Sequence, residues 1–265
     1  MTFSVPLESE TAMKKLSCLS GTAIKLLAVL FMTIDHVGFY LGNTPLRYIG
    51  RLAFPLFAYM VAEGCRYTKN KRLHFALLFL SGAVCHLGYH IANPGSTYLN
   101  VFLTFSASTL LIYLLQYAKE CSFKEEKNLF EIAVAWLSFG AGILAVYYLS
   151  LTYFFDYSFM GVILPVMVAL PDGMGERTPA WLKRLDSKWV KLAVLSFGLW
   201  LLVLDISAVL PKMGGIQWHS FLVLIPLALY NGKSGKYKLK YFFYLYYPLH
   251  LAVLEGLYWL WFMLG

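Results

Sequence analysis

Asp35 and His36 stand side by side, late in an otherwise apolar run that reads IKLLAVLFMTIDHVGFYL from Ile24 to Leu41. A run of that length can cross a bilayer, and an aspartate inside it costs roughly 2.5–3.5 kcal/mol on insertion scales. An imidazole at that place offers proton transfer near neutrality, so His36 is a candidate general base for an amine or hydroxyl, or a group that itself carries an acyl unit. Neighbours on a helix point about 100° apart, so Asp35 must act through a residue elsewhere, orienting a partner or balancing an arginine. Arg47 and Arg51 lie four apart on one helical face, and Arg51 is the first candidate; guanidinium forks also suit a carboxylate or phosphate. The plainer alternatives are a buried Asp35–Arg51 ion pair with His36 as a structural hydrogen-bonder, and Arg47 snorkelling to the interface. Pro55, one turn beyond Arg51, cannot donate to the Arg51 carbonyl, which predicts a kink there.

Other polar residues compete for roles. His86 and His90 are also four apart, a spacing that holds zinc only when further ligands converge. No glutamate lies between them as in the zinc-protease pattern, so no metal is expected, and they stand as substrate-binding candidates or interfacial histidines. His250 sits in YFFYLYYPLHLAVLEG, one turn after Tyr246, with Pro248 loosening the helix between. It is either a satisfied core residue or a fourth member of a catalytic group with Asp35, His36 and Arg51. Asn100 opens an apolar run and Glu63 closes another beside Arg66 and Lys69. Both are substrate-binding candidates, with a local ion pair as the alternative for Glu63. Arg66, Lys69, Lys71 and Arg72 form a basic turn that can meet the phosphates of a nucleotide donor. The chain has no Gly-rich phosphate loop, no serine nucleophile elbow and no CxxC pair, and its four cysteines, Cys18, Cys65, Cys85 and Cys121, carry no functional signal.

These residues must be positioned by elements that live in lipid. The chain is 59% hydrophobic and only 14% charged over 265 residues, against about 45–50% and 25% for soluble domains. We expect an all-α, polytopic bundle: a tail over 1–22 and one transmembrane domain over 23–265. Nine apolar runs fall at about 23–42, 46–65, 73–91, 98–118, 129–150, 154–170, 189–210, 217–230 and 241–263. The sixth and eighth are short, which leaves a range of eight to ten. With the N-terminus inside, only Arg47, Arg51 and Lys212 of the 22 lysines and arginines fall outside; Lys14, Lys15 and Lys238 join the inner majority. That asymmetry implies an outside C-terminus. The net charge of +8 therefore reads as a topology signal, and nucleic acid is excluded as a partner. On this topology Asp35, His36, Asp156, Asp205, His219, His250 and Glu255 lie mid-membrane or outward, and polar groups at such depth usually face a wet cavity.

The segments IKLLAVLFMTIDHVGFY, LRYIGRLAFPLFAYMVAEG, NVFLTFSASTLL, FMGVILP and YFFYLYYPLHLAVL, in that order, resemble the TraX family over about residues 22–260. The resemblance implies a multi-pass protein of the bacterial inner membrane that transfers an acetyl group from acetyl-CoA to an amine or hydroxyl. In the family's namesake the acceptor is a pilin N-terminus; a glycan or lipid acceptor stays open. On that footing His36 activates the acceptor or is transiently acylated, Asp35 and His250 tune it, and Arg51 or Asn100 stabilises the oxyanion. A solute transporter with a polar outer cavity and a non-catalytic scaffold are the competing classes; the lack of an internal repeat weighs against the first.

Overall fold

Each of the nine apolar runs carries helix in the computed structural model, which describes residues 17–237 and 239–264. Lys14, Lys15, Lys238 and most of the 1–22 tail lie outside the described residues. The helices are α1 (Gly21–Tyr40), α2 (Thr44–Gly50), α3 (Ala53–Tyr67), α4 (Lys71–Ala92), α5 (Val101–Phe123), α6 (Leu129–Thr152), α7 (Ser158–Ala169), α8 (Ala180–Leu185), α9 (Lys188–Val209), α10 (Pro211–Gln217), α11 (Leu224–Ala228) and α12 (Lys240–Leu264). The all-α class holds. Among the described residues, α1, α4, α5, α6 and α9 are long and apolar enough to cross a membrane.

The other runs depart from unbroken spans for local reasons. The second splits at Arg51-Leu52 into α2 and α3, where Pro55 leaves the Arg51 carbonyl without its helical donor. The sixth is cut to the 12 residues of α7 because Tyr157, just before it, and Ser158, its first residue, both take positive φ, 62° and 61°. The eighth begins on Gln217, the last residue of α10, and divides into a 3₁₀ stretch over Trp218–Val223 and α11. Polar residues start half of the twelve α-helices among the described residues: Ser20, Asn43, Asn70, Asn100, Asn128 and Ser187 each accept from a backbone N–H of the first turn.

Short α7 is the hub. It packs against α3, α5 and α9, and its Val162, Leu164 and Val168 have no exposed surface. Two parallel two-residue strands, β1 (Tyr98–Leu99) and β2 (Phe154–Phe155), pair Tyr98 with Phe154 and Leu99 with Phe155, tying the start of α5 to the start of α7. At the opposite end Leu19 bridges Tyr230, and Gly21 N–H donates to the Lys233 carbonyl at 2.7 Å. That end also gathers Arg66, Asp172, Asp186, Lys188 and Lys191. The outer layer of the bundle includes α12, which lies against α1 and α4.

Candidate functional site

α1 and α2 approach each other closely. After the turn at Gly42-Asn43, α2 folds back along α1, and Gly50 comes to rest on Asp35: a Cβ added at Gly50 would lie 2.5 Å from the Asp35 Cα. Only a residue without a side chain fits. This approach delivers Arg51, the next residue, to Asp35, and the two form an ion pair. Arg47 adds a second, looser contact, its Nε 3.7 Å from Asp35 Oδ1. Arg51 is 4% exposed, so an unpaired charge there would be untenable and Asp35 is its compensation.

Arg51 also sits above the Tyr157 ring, 5.8 Å from its centroid, while Tyr157 stacks flat on Phe54 at 3.8 Å. The Asp156 carboxyl is close enough to couple to Arg51. Left-handed backbone at two successive non-glycine residues costs of order 1–3 kcal/mol each and persists only where the surroundings enforce it. Here the enforcement is visible: Asp156 N–H bonds Leu99 O at 2.9 Å, and Asp205 Oδ2 accepts from Met160 N–H at 3.0 Å. The strained turn thus holds an aromatic face and a second carboxyl beside Arg51.

His36 lies one residue on from Asp35, and α12 brings His250 against it, the ring centroids 5.0 Å apart and the planes at 79°. Both rings are anchored alike. His36 Nδ1 bonds Met32 O at 2.8 Å, and His250 Nδ1 bonds Tyr246 O at 3.1 Å. A carbonyl only accepts, so each Nδ1 must carry the hydrogen, which leaves each Nε2 with a lone pair in the neutral ring. His250 Nε2 is buried with no partner. Tyr246 stacks on His250 at 5.3 Å and ties its hydroxyl to Thr33 Oγ1 at 2.7 Å; because Thr33 donates to Val29 O, the tyrosine is the donor. Chemically the group offers two oriented imidazole bases next to a compensated guanidinium, a setting suited to proton abstraction and to stabilising a developing oxyanion.

Asp35, Arg47 and Arg51 therefore come together, as do His36 and His250, and the adjacency of Asp35 and His36 on α1 sets the two groups side by side. Other sequence candidates do not join them. Asn100 is committed to architecture: its Oδ1 accepts from Phe102 and Leu103 N–H, and its Nδ2 donates to Gly82 O at 2.8 Å, fastening α4 to α5. His86 and His90 stack on each other at 5.9 Å on α4. Glu63 has a different partner from the neighbours expected: it bonds Lys191 Nζ of α9 at 2.6 Å, and Tyr230 donates to its other oxygen. Arg66, expected to meet donor phosphates, makes a bidentate pair with Asp186 at 2.6 and 2.7 Å and a further bond to Asp172 at 2.9 Å, so its fork is filled by the protein itself. Lys69, Lys71 and Arg72 remain exposed. Tyr157 is the member that motif reasoning missed, its signal being an aromatic next to Asp156; Tyr246, named for its one-turn spacing to His250, proves to be the ring that stacks on it.

Comparison with known proteins gives a family. A family model described as TraX protein matches residues 20–258. The chain is also similar to the "Probable fimbrial assembly protein FimC, serogroup H1" of Dichelobacter nodosus, 27% identical over 254 residues that cover 89% of this chain and 94% of the relative. No solved structure matches the chain.

Proposed function

The chain belongs to the TraX family, and we propose that it is an integral membrane acyltransferase that moves an acetyl group from cytoplasmic acetyl-CoA to an amine or hydroxyl on the outer side of a bacterial cell membrane. The observation that carries this reading is the pair of imidazoles, each fixed through Nδ1 to a backbone carbonyl, packed edge to face beside the buried Asp35–Arg51 pair. His36 Nε2 takes the proton as the acceptor's nitrogen or oxygen attacks the thioester carbonyl. The tetrahedral oxyanion faces the Arg51 guanidinium; it collapses with cleavage of the carbon–sulfur bond, and the CoA thiolate leaves with the proton that His36 collected. Asp35 holds Arg51 in place and balances its charge, while Tyr246 and Thr33 hold His250.

Nine membrane segments, with the N-terminus inside and the C-terminus outside, complete the reading. It is supported by the sorting of side chains between the two ends: the basic turns 66–72, 183–191 and 233–236 share the end where Leu19 meets Tyr230, away from Asp35, Arg47 and Arg51. Lys69, Lys71 and Arg72 would meet the donor's phosphates there. The fimbrial relative makes a fibre subunit with an exposed N-terminal amine the first acceptor to try. The test is transfer of label from acetyl-CoA in membranes and proteoliposomes. We expect His36→Ala to lose at least about 10²-fold, as removal of a general base does, and full transfer by that variant would overturn the mechanism.

A further inference from the structure

Buried polar atoms with no partner inside the protein are rare, and each calls for an explanation, a ligand, an ion or a water among them. Among the described residues there are eight, and Asp35 Oδ1, Arg47 Nε, Arg51 Nε and His250 Nε2 belong to the centre already described. Gln217 Nε2 and Ser220 Oγ do not. Gln217 is 1% exposed and Ser220 is 0% exposed, yet neither side-chain atom has a hydrogen-bond partner. They lie three apart, and a 3₁₀ stretch repeats every three residues, so Gln217, Ser220 and Val223 share one buried face. That stretch packs on α2, α3 and α9. The intervening His219 lies flat on Tyr48 of α2, 4.3 Å between centroids and 6° between planes, which pins the stretch to α2 three residues before Arg51.

Resting on the acyltransferase reading, we propose that Gln217 and Ser220, carried by the stretch that packs on α2 and α3 at the break where Arg51 sits, bind an amide group of a substrate. The donor types fit: Gln217 Nε2–H gives a hydrogen bond to an amide oxygen, and Ser220 Oγ accepts from an amide N–H. A hydroxyl and a carboxamide left dry would be a standing cost with no return, whereas an amide ligand satisfies both at once. Two sources supply amides here, the backbone of a peptide acceptor and the pantetheine arm of the donor, and kinetics separate them.

The experiment measures Gln217→Leu and Ser220→Ala in membranes supplied with labelled acetyl-CoA, following CoA release and label transfer separately, and then the unfolding temperature of each purified variant. We expect transfer to fall about tenfold or more while the unfolding temperature holds or rises, because an apolar side chain replaces an unsatisfied one. If the amide belongs to the acceptor, CoA release by hydrolysis persists with an unchanged KM for acetyl-CoA. If it belongs to the donor arm, that KM rises for release and transfer together. Wild-type transfer and KM in both variants would overturn the inference, as would an unfolding temperature that falls, since that means the polar atoms are satisfied within the fold. If the wild type itself transfers no label, the acyltransferase reading fails, and the unfolding temperatures still decide between a ligand-directed pair and a structural one.

Discussion

Gly50→Ala tests whether the crossing of α1 and α2 builds the centre. The added Cβ would stand 2.5 Å from both Asp35 Cα and Oδ1, where ordinary contacts begin near ~3.5 Å. The Oδ1 can swing aside, but the Cα is backbone, so the two helices must separate by roughly 1 Å. Overpacking of this kind costs typically 1–3 kcal/mol. The catalytic cost is larger in proportion, because Arg51 rides on the displaced segment and a misplacement of about 1 Å can lower a rate about 10²-fold. We expect Gly50→Ala to unfold measurably earlier in detergent and to transfer label at about 1–10% of the wild-type rate. Gly140→Ala is the control: it lies in α6 with nothing within 4 Å of the new Cβ, so it should hold or gain up to about 1 kcal/mol. Wild-type activity and stability in Gly50→Ala would refute the crossing as the device that positions Arg51.

Three further outcomes follow from the same geometry. Lys191→Met strips the cation from Glu63 and Asp172, which it touches at 2.6 and 2.5 Å; breaking a buried pair costs about 3–5 kcal/mol, so thermal unfolding should shift sharply and Glu63→Gln in the same chain should recover part of the loss. Ser158→Gly removes a left-handed φ penalty at the head of α7 and should stabilise by about 1–2 kcal/mol; an unchanged or lower midpoint would mean that Ser158 is not strained. Burial pushes the Asp186 carboxyl up, but the Arg66 hydrogen bonds, the Gly173 N–H and the Arg66 charge hold it below its ordinary value. A lowered folded-state value means that its stabilisation is complete above about pH 4 and fades as pH falls further, so proteolysis of the 170–188 loop should quicken on acidification in the wild type, and Asp186→Asn should flatten that dependence.

Much of the group around Asp35 was legible because its cause is local. The expense of Asp35 in an apolar run demanded a compensating cation, and the i, i+4 pair Arg47 and Arg51 was the nearest supply. Pro55 announced the break that ends α2 beside Arg51. His250 was nameable because an imidazole among aromatics at a matching depth stands out, although nothing in one strand of sequence says that its ring meets His36 edge on. The misses have a common physical origin in distance along the chain. Arg66 looked free because its neighbours are basic, while the carboxylate that fills its fork comes from Asp186, 120 residues away. Glu63 likewise takes its cation from Lys191 rather than from the turn beside it. Neither the left-handed backbone at Tyr157-Ser158 nor the 3₁₀ interruption has a composition signal, since both are imposed by what packs around them.

The two polar layers differ in a way that bears on what each is for. At the Leu19–Tyr230 end, Glu63, Lys191, Asp172, Arg66 and Asp186 saturate one another, and Lys119 donates to the Ala169, Leu170 and Asp172 carbonyls at the end of α7. Only Asp172 Oδ2 is left over in this set. A network so nearly closed holds helices together and has little to offer a ligand. In the other layer Asp35 Oδ1, Arg51 Nε, His250 Nε2, Gln217 Nε2 and Ser220 Oγ all lack a hydrogen-bond partner although all are buried. A pure scaffold has no reason to keep such atoms, because apolar replacements would be neutral or stabilising. The imbalance therefore favours a substrate at the Asp35 end. Arg66 belongs to that closed network, whereas Lys69, Lys71 and Arg72 of the adjoining turn are exposed and are the cations left for the donor we propose.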